Sequence, residues 1–139
     1  MLEAPLAFCR EKKARREESL VLADRGRVLH ALGDLTGARQ DLEAALAASR
    51  EGEDVRTTAE ALVALALVLA DQGDLEQARR LLDEALALYR SRSNPSGEAS
   101  ALSGMGKVLA LQGNRRAARV HQERARAIRA RLGERLPSP

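Results

Sequence analysis

The sequence predicts an all-α protein, a right-handed α-solenoid built from antiparallel helix hairpins. Of its 139 residues, 26 are Ala and 23 are Leu, whereas there is one Phe, one Tyr and no Trp, a composition typical of helices. A second observation is an internal repeat with a period of 40 residues: Gly33-Asp34-Leu35 recurs as Gly73-Asp74-Leu75 and, more loosely, as Gly113-Asn114-Arg115. A hairpin of this kind cannot bury its apolar face alone, so neighbouring repeats must stack on one another.

Each period contains two helices, because apolar and small residues recur at helical spacing before and after the Gly-Asp pair. The Gly can adopt the left-handed conformation that ends a helix, and the following Asp or Asn can cap the next one. Thr57 with Glu60, and Asp74 with Gln77, have capping-box spacing, and Asn94-Pro95 marks a further start. The helices are predicted over residues 19–32, 36–50, 57–72, 75–92, 96–112 and 115–132.

Small residues recur where the two helices of each hairpin should cross. One helix carries Gly or Ala at the equivalent position of every repeat, and the other carries Ala, so small residues face small residues. This arrangement predicts a close approach of the two helices. The residues are Gly26, Ala66 and Gly106, opposite Ala38, Ala78 and Ala118.

The repeats divide the chain into residues 19–56, 57–95 and 96–135, followed by a tail at 136–139. Residues 2–11 match residues 42–51 at seven of ten positions, so residues 1–18 are predicted to be the second helix of a preceding, partial repeat. Two explanations remain open for this partial repeat. The chain is a piece of a longer array, or the half-repeat caps the solenoid.

These residues resemble the tetratricopeptide repeat (TPR) family. The family pattern W-x2-L-G-x2-Y, then A-x3-F, then A, is matched with Leu in place of each large aromatic residue. The repeat also lacks the helix-ending Pro of the family and has a period of 40 residues instead of about 34. Forty-residue variants are similar to repeats of bacterial regulators and signalling ATPases, where they form a sensing or docking arm. The match comprises Leu62, Leu65, Ala66, Leu69, Ala78, Leu82 and Ala85, and in the third repeat Leu102, Met105, Gly106 and Leu109.

The residues that could act as nucleophiles, general bases or metal ligands do not indicate an active site. Cys9, His30 and His121 each stand alone, without a partner at the spacing of a nucleophile and base or of metal ligands. We therefore expect no catalytic residue, no metal and no cofactor. The single cysteine excludes a disulfide scaffold and indicates a reducing, cytoplasmic setting. The longest apolar run, residues 61–70, is shorter than the roughly 20 residues that span a bilayer.

The TPR resemblance implies that the first helix of each repeat lines a concave groove that binds proteins or peptides. In this sequence the middle of that surface is apolar and its flanks are basic, which predicts a helix or extended peptide with apolar anchors and acidic flanks. The Lys and Asn residues that clamp a terminal carboxylate in the family's chaperone receptors are absent at the matching positions. The predicted groove residues are Arg27, His30, Val63, Leu67, Ala70, Ser103, Lys107 and Ala110.

The last predicted helix concentrates positive charge. Residues 115–135 contain eight Arg and two Glu, a net charge of +6, whereas the rest of the chain has a net charge of −3. This helix can serve as a capping helix that stops the stacking. Alternatively, the protein is a nucleic-acid-associated regulator whose face formed by Arg115, Arg119, Arg126 and Arg129 binds nucleic acid or another anionic partner. The lack of aromatic residues beside these arginines makes nucleic acid a poor candidate.

A further alternative is homo-oligomerisation through the amino-terminal end, where Leu2, Leu6 and Phe8 would lack the missing helix. The sequence thus favours a non-catalytic interaction or scaffold module, with two other binding functions left open.

Overall fold

The computed structural model describes residues 3–134, with side-chain detail for residues 7–133, and this part of the chain is built from α-helices joined by tight turns. They are α1 (Glu3–Ala31), α2 (Leu35–Glu51), α3 (Val55–Asp71), α4 (Leu75–Ser91), α5 (Pro95–Leu111) and α6 (Arg115–Glu134). The predicted all-α solenoid of antiparallel hairpins is confirmed. From α2 to α5, 17-residue helices alternate with three-residue turns, which accounts for the 40-residue period.

The turns follow the predicted chemistry. Gly33, Gly73 and Gly113 have φ values of 87°, 88° and 85°, the left-handed conformation that ends a helix. The next residue caps the following helix: the backbone N–H of Gly37 donates to the Asp34 carboxylate at 2.9 Å. Asp74 and Asn114 accept from Gln77 and Ala117 in the same way.

The start of α3 differs from the prediction. Asp54, not Thr57, is the N-cap, and its carboxylate accepts the backbone N–H of Thr57 at 2.9 Å. The turn that precedes it holds Glu53 at φ 52°, and Ser93 occupies the equivalent position before α5 at φ 49°. Asn94 caps α5 and Pro95 is its first residue, as predicted.

The largest difference concerns the amino terminus, where α1 is one continuous helix from Glu3 to Ala31. The helix predicted to begin at residue 19 therefore begins 16 residues earlier. The physical reason is that residues 11–18 (EKKARREE) contain neither a Gly nor an N-cap residue, whereas the equivalent turn contains Gly52 and Asp54. The descent of residues 1–18 from a preceding repeat stays a prediction.

The two helices of each hairpin approach closely at the predicted small residues. A Cβ placed on Gly26 would lie 2.7 Å from Cγ of Leu42 and 3.4 Å from the carbonyl oxygen of Ala38. Gly106 meets Gln122 and the carbonyl oxygen of Ala118 in the same way. The main core runs from α1 to α6 along this line of contacts, and a smaller cluster of Ala99, Leu102 and Ala125 lies between α5 and α6.

The first hairpin contains an ion pair where the other hairpins have different residues. Arg25 donates to the carboxylate of Asp41 through Nε at 2.6 Å and through Nη2 at 2.8 Å, and this contact lowers the pKa of Asp41. The equivalent residues are Leu65 and Leu81 in the second repeat. A bidentate ion pair therefore replaces an apolar contact at this position.

The helices form two layers. The backbones of the first helices come close to one another, α1 to α3 and α3 to α5, whereas within the described residues the backbones of the second helices α2, α4 and α6 come close only to first helices. In this part of the chain the second helices are joined only through side chains, as in the ion pair between Arg50 of α2 and Glu84 of α4. Because the side on which consecutive helices come closer is the inner side of a curved array, α1, α3 and α5 form the concave layer.

Candidate functional site

The concave layer contains an open groove with a volume of about 470 Å³. Its walls come from α1 and α3, and the start of α5 closes one end. Val63 and Leu67 of α3 are half-buried and form the apolar middle. Arg27 and His30 line the α1 side, whereas Arg56, Glu60, Asn94, Ser96 and Ser100 line the polar end.

The structure brings together half of the predicted groove residues. Arg27, His30, Val63 and Leu67 line the groove, Ser103 is half-buried further along α5, and Lys107 and Ala110 are exposed. The prediction that Ala70 lies on the groove surface is wrong, because this residue is 4% exposed and belongs to the core. It lies at the end of α3, where α1 and α5 pack on either side.

Asp71 joins the three first helices at the edge of the concave surface. Its carboxylate lies 2.5 Å from Nε2 of His30 and 3.1 Å from Nζ of Lys107, so that α1, α3 and α5 are connected through one side chain. The hydrogen bond with His30, followed by that with Lys107, holds the pKa of Asp71 below its ordinary value. The role of Asp71 could not be predicted from the sequence, because its partners are 41 and 36 residues away along the chain and meet it only through the stacking of the repeats.

Replacement of Asp71 tests this connection. Because folding lowers the pKa of this carboxyl, its contribution to stability is complete above the unfolded-state pKa of about 4 and is lost as the pH falls through the folded-state value. Asp71→Asn is expected to reduce the free energy of unfolding at pH 7 by at most about 1 kcal/mol, since the cluster is partly exposed. Urea titrations should show the difference from the wild type shrinking below about pH 4.

The matched control is Asp83→Asn, at an exposed position of α4 that forms no ion pair in the described part of the chain. It should leave stability unchanged at both pH values. A constant difference between Asp71→Asn and the wild type from pH 7 to pH 3 would contradict an electrostatic role for Asp71.

Tyr89 reaches the groove from α4, the helix behind it. Its side chain lines the groove although the residue is only 5% exposed, and it fits because Gly97 of α5 stands opposite. Its hydroxyl makes no hydrogen bond within the described residues, yet no buried side-chain oxygen there lacks a partner, so the hydroxyl touches the groove surface. Burial, followed by the charge of Glu60, raises the pKa of Tyr89 to about 12, so the hydroxyl keeps its proton at neutral pH.

A comparison of the repeats could have revealed Tyr89. The equivalent position holds Ser49 in the first repeat, and Gly97 is equivalent to Thr57. Between the two repeats, a small Ser is thus replaced by a large Tyr on one helix, and Thr is replaced by Gly on the helix that faces it. Such paired changes of size indicate contact.

The cations of the groove have intramolecular partners. Arg27 lies 3.3 Å from Asp24, and Arg56 lies 3.3 Å from Glu60, both within the same helix. Exposed pairs of this kind contribute little to stability, so a ligand can replace either carboxylate at small cost. Lys107, by contrast, contacts Asp71 across two helices.

The arginines predicted to form an anionic-partner face are all exposed on α6: Arg115, Arg119, Arg126 and Arg129. Within the described residues none of the α6 arginines forms an ion pair, whereas Arg25, Arg50 and Arg90 each pair with a carboxylate on another helix. The opposite side of α6 packs Ala125 and Ile128 against Leu86 and Leu102.

Among residues 3–134 no group of three or more His, Cys, Asp or Glu side chains could hold a metal ion. None of the described helices is long and apolar enough to cross a membrane. Of the residues predicted for an amino-terminal association site, Phe8 is 55% exposed beside Lys12, and the side chains of Leu2 and Leu6 lie outside the described residues.

A family model described as tetratricopeptide repeat matches residues 15–91 and 57–131. No curated protein and no solved structure matches the sequence. The family match covers most of the chain and agrees with the hairpins and the solenoid described above. The chain therefore belongs to the tetratricopeptide repeat family, whose repeats generally mediate protein–protein interactions and typically form non-catalytic modules.

Proposed function

We propose that the concave groove binds a helix or an extended peptide of a partner protein, without catalysis. The observation that carries this proposal is the open groove of about 470 Å³, whose middle consists of the half-buried side chains of Val63 and Leu67. An apolar groove flanked by polar side chains is the usual form of a peptide-binding site.

The chemistry of the groove suggests which residues the partner presents. Val63 and Leu67 would bury an apolar anchor, and the hydroxyl of Tyr89, whose side chain also lines the groove, can hydrogen-bond to the backbone or to a polar side chain of the partner. Arg27 and Arg56 would contact acidic flanks, since each is now paired only with a carboxylate of its own helix, Asp24 and the half-buried Glu60 respectively. Lys107 contributes less, because it contacts Asp71.

The resemblance to 40-residue repeats of bacterial regulators supports the idea that this module is part of a larger protein. We propose that the module acts as a docking arm or scaffold of a larger regulator or signalling protein in the cytoplasm. The groove would then hold a segment of the partner whose activity the regulator controls.

The experiment is a selection of displayed random peptides on the wild-type protein, followed by calorimetry with the enriched peptides. Val63→Glu combined with Leu67→Glu is expected to weaken binding by about tenfold or more, because it places two charges where the anchor binds. Val120→Glu is the control, since Val120 is 44% exposed on α6, away from the groove. Circular dichroism checks folding, and Leu67→Ser replaces the double variant if that variant unfolds.

Two results would contradict the proposal that the groove binds peptides. One is a wild-type selection that enriches no peptide, and the other is an enriched peptide that binds the folded groove variants as tightly as it binds Val120→Glu. Enrichment of apolar residues beside Asp or Glu, with binding lost in the groove variants only, is the expected result.

A further inference from the structure

One face of α1 is uncovered, although the same face of α3 and of α5 is buried. Val21 and Val28 of α1 are 68% and 57% exposed. The equivalent residues of the second repeat, Ala61 and Val68, are both 0% exposed, and their counterparts in the third repeat are almost as deeply buried. On α1, the surface that is buried by helix packing on α3 and α5 is therefore exposed.

The structure shows what covers this surface in the later repeats, namely the second helix of the preceding repeat. On α5, the side chain of Leu82 approaches Gly104 and the ring of Tyr89 covers Gly97. On α3, the hydroxyl of Thr58 donates to the hydroxyl of Ser49 at 3.0 Å. The helix that fits the uncovered face of α1 is therefore a second helix of this repeat type.

Within the described chain, α6 is the second helix whose equivalent face has no following repeat. The residues of α6 that correspond to Leu82, Leu86 and Tyr89 of α4 are Gln122, Arg126 and Arg129. Both arginines are exposed, and neither has an ion-pair partner in the part of the chain that the structure describes.

The two uncovered faces have opposite charges. Because the ring of Tyr89 covers Gly97, equivalence places Glu17 of α1 at the position that would face Arg129. The junction between α4 and α5 shows that a second helix and the next first helix can form an ion pair, since Arg90 and Glu98 are 3.2 Å apart there. Asp24, equivalent to Gly104, would face Gln122.

We propose that a second copy of this chain docks head to tail, with α6 of one copy on α1 of the next. The contact would bury Val21 and Val28 and would pair Arg129 with Glu17. A two-fold pairing of α1 with α1 would leave the arginines of α6 without a counter-charge, so the charges favour the head-to-tail arrangement. Because such a contact is heterologous, it produces open chains that grow with protein concentration.

The test uses two variants and their mixture, measured by sedimentation velocity over a range of concentrations. Val21→Glu combined with Val28→Glu blocks the α1 face, and Arg126→Glu combined with Arg129→Glu blocks the α6 face. Each variant is expected to stay monomeric where the wild type forms chains, whereas the 1:1 mixture is expected to form a heterodimer through the two intact faces. Val120→Glu is the control and should assemble as the wild type does.

The salt dependence gives an independent readout. The mass of the wild type should fall when the salt concentration rises from 0.05 M to about 0.5 M, since the ion pairs at the contact are exposed to solvent. A wild type that is monomeric at all concentrations would overturn the proposal. So would an α6-face variant that still dimerises, because that result would indicate a two-fold contact through α1.

Discussion

Replacing Leu62 by alanine is expected to lower the free energy of unfolding by about 2–5 kcal/mol, near the upper end of that range. Leu62 is 0% exposed and lies on α3, the central first helix, which contacts α1, α2, α4 and α5. Because α3 is packed between these helices, the neighbours cannot close a cavity at this point without shifting the stack. Urea denaturation followed by circular dichroism measures the loss.

Leu102→Ala is the matched comparison, because Leu102 occupies the equivalent position one repeat later. It is 1% exposed but belongs to the small cluster between α5 and α6, the last helix that the structure describes. In a solenoid, stability is a sum of repeat and neighbour terms, so a change near the end affects fewer contacts. We expect a smaller loss than for Leu62→Ala, and Leu32→Ala, at a position 77% exposed, should have almost no effect. Equal losses for Leu62→Ala and Leu102→Ala would contradict the central position of Leu62.

The helices and their turns were predictable because their causes are local. Gly73 ends one helix and Asp74 caps the next, and both effects depend on residues within one turn of the chain. The start of α1 was missed because sequence similarity between residues 2–11 and 42–51 suggested a turn, whereas no turn-forming residue is present between them and residue 19. The physical rule for a helix stop was a better guide there than the alignment of the repeats.

The groove was predictable in position but not in detail. The first helices line the concave side in every repeat, so Val63 and Leu67 follow from the repeat alone. Asp71 and Tyr89 depend on how far neighbouring helices are rotated against each other, which no local pattern specifies. Ala70 was assigned to the surface for the same reason: one step along the helix separates a groove residue from a buried one.

Adding a single methyl group to Gly97 is expected to be the other large effect. A Cβ at this position would lie 2.1 Å from Cδ1 and 2.6 Å from Cγ of Tyr89, so the ring must move as a whole. In an ordinary helix, Gly→Ala would stabilise the protein by roughly 1 kcal/mol. Here overpacking reverses the sign, and Gly97→Ala should cost about 1–3 kcal/mol.

A double-mutant cycle separates this clash from any other effect of the substitution. In a Tyr89→Ser background, which recreates the small residue found at position 49, Gly97→Ala should be neutral or stabilising, giving a coupling of about 2 kcal/mol. Urea denaturation of the four proteins gives the coupling, and values near zero would show that the ring of Tyr89 does not depend on Gly97. The same cycle bears on the groove, because Tyr89 presents its hydroxyl there only while Gly97 leaves room for the ring. Gly97→Ala should therefore alter peptide binding even under conditions in which the variant is fully folded, whereas Leu102→Ala should leave it unchanged.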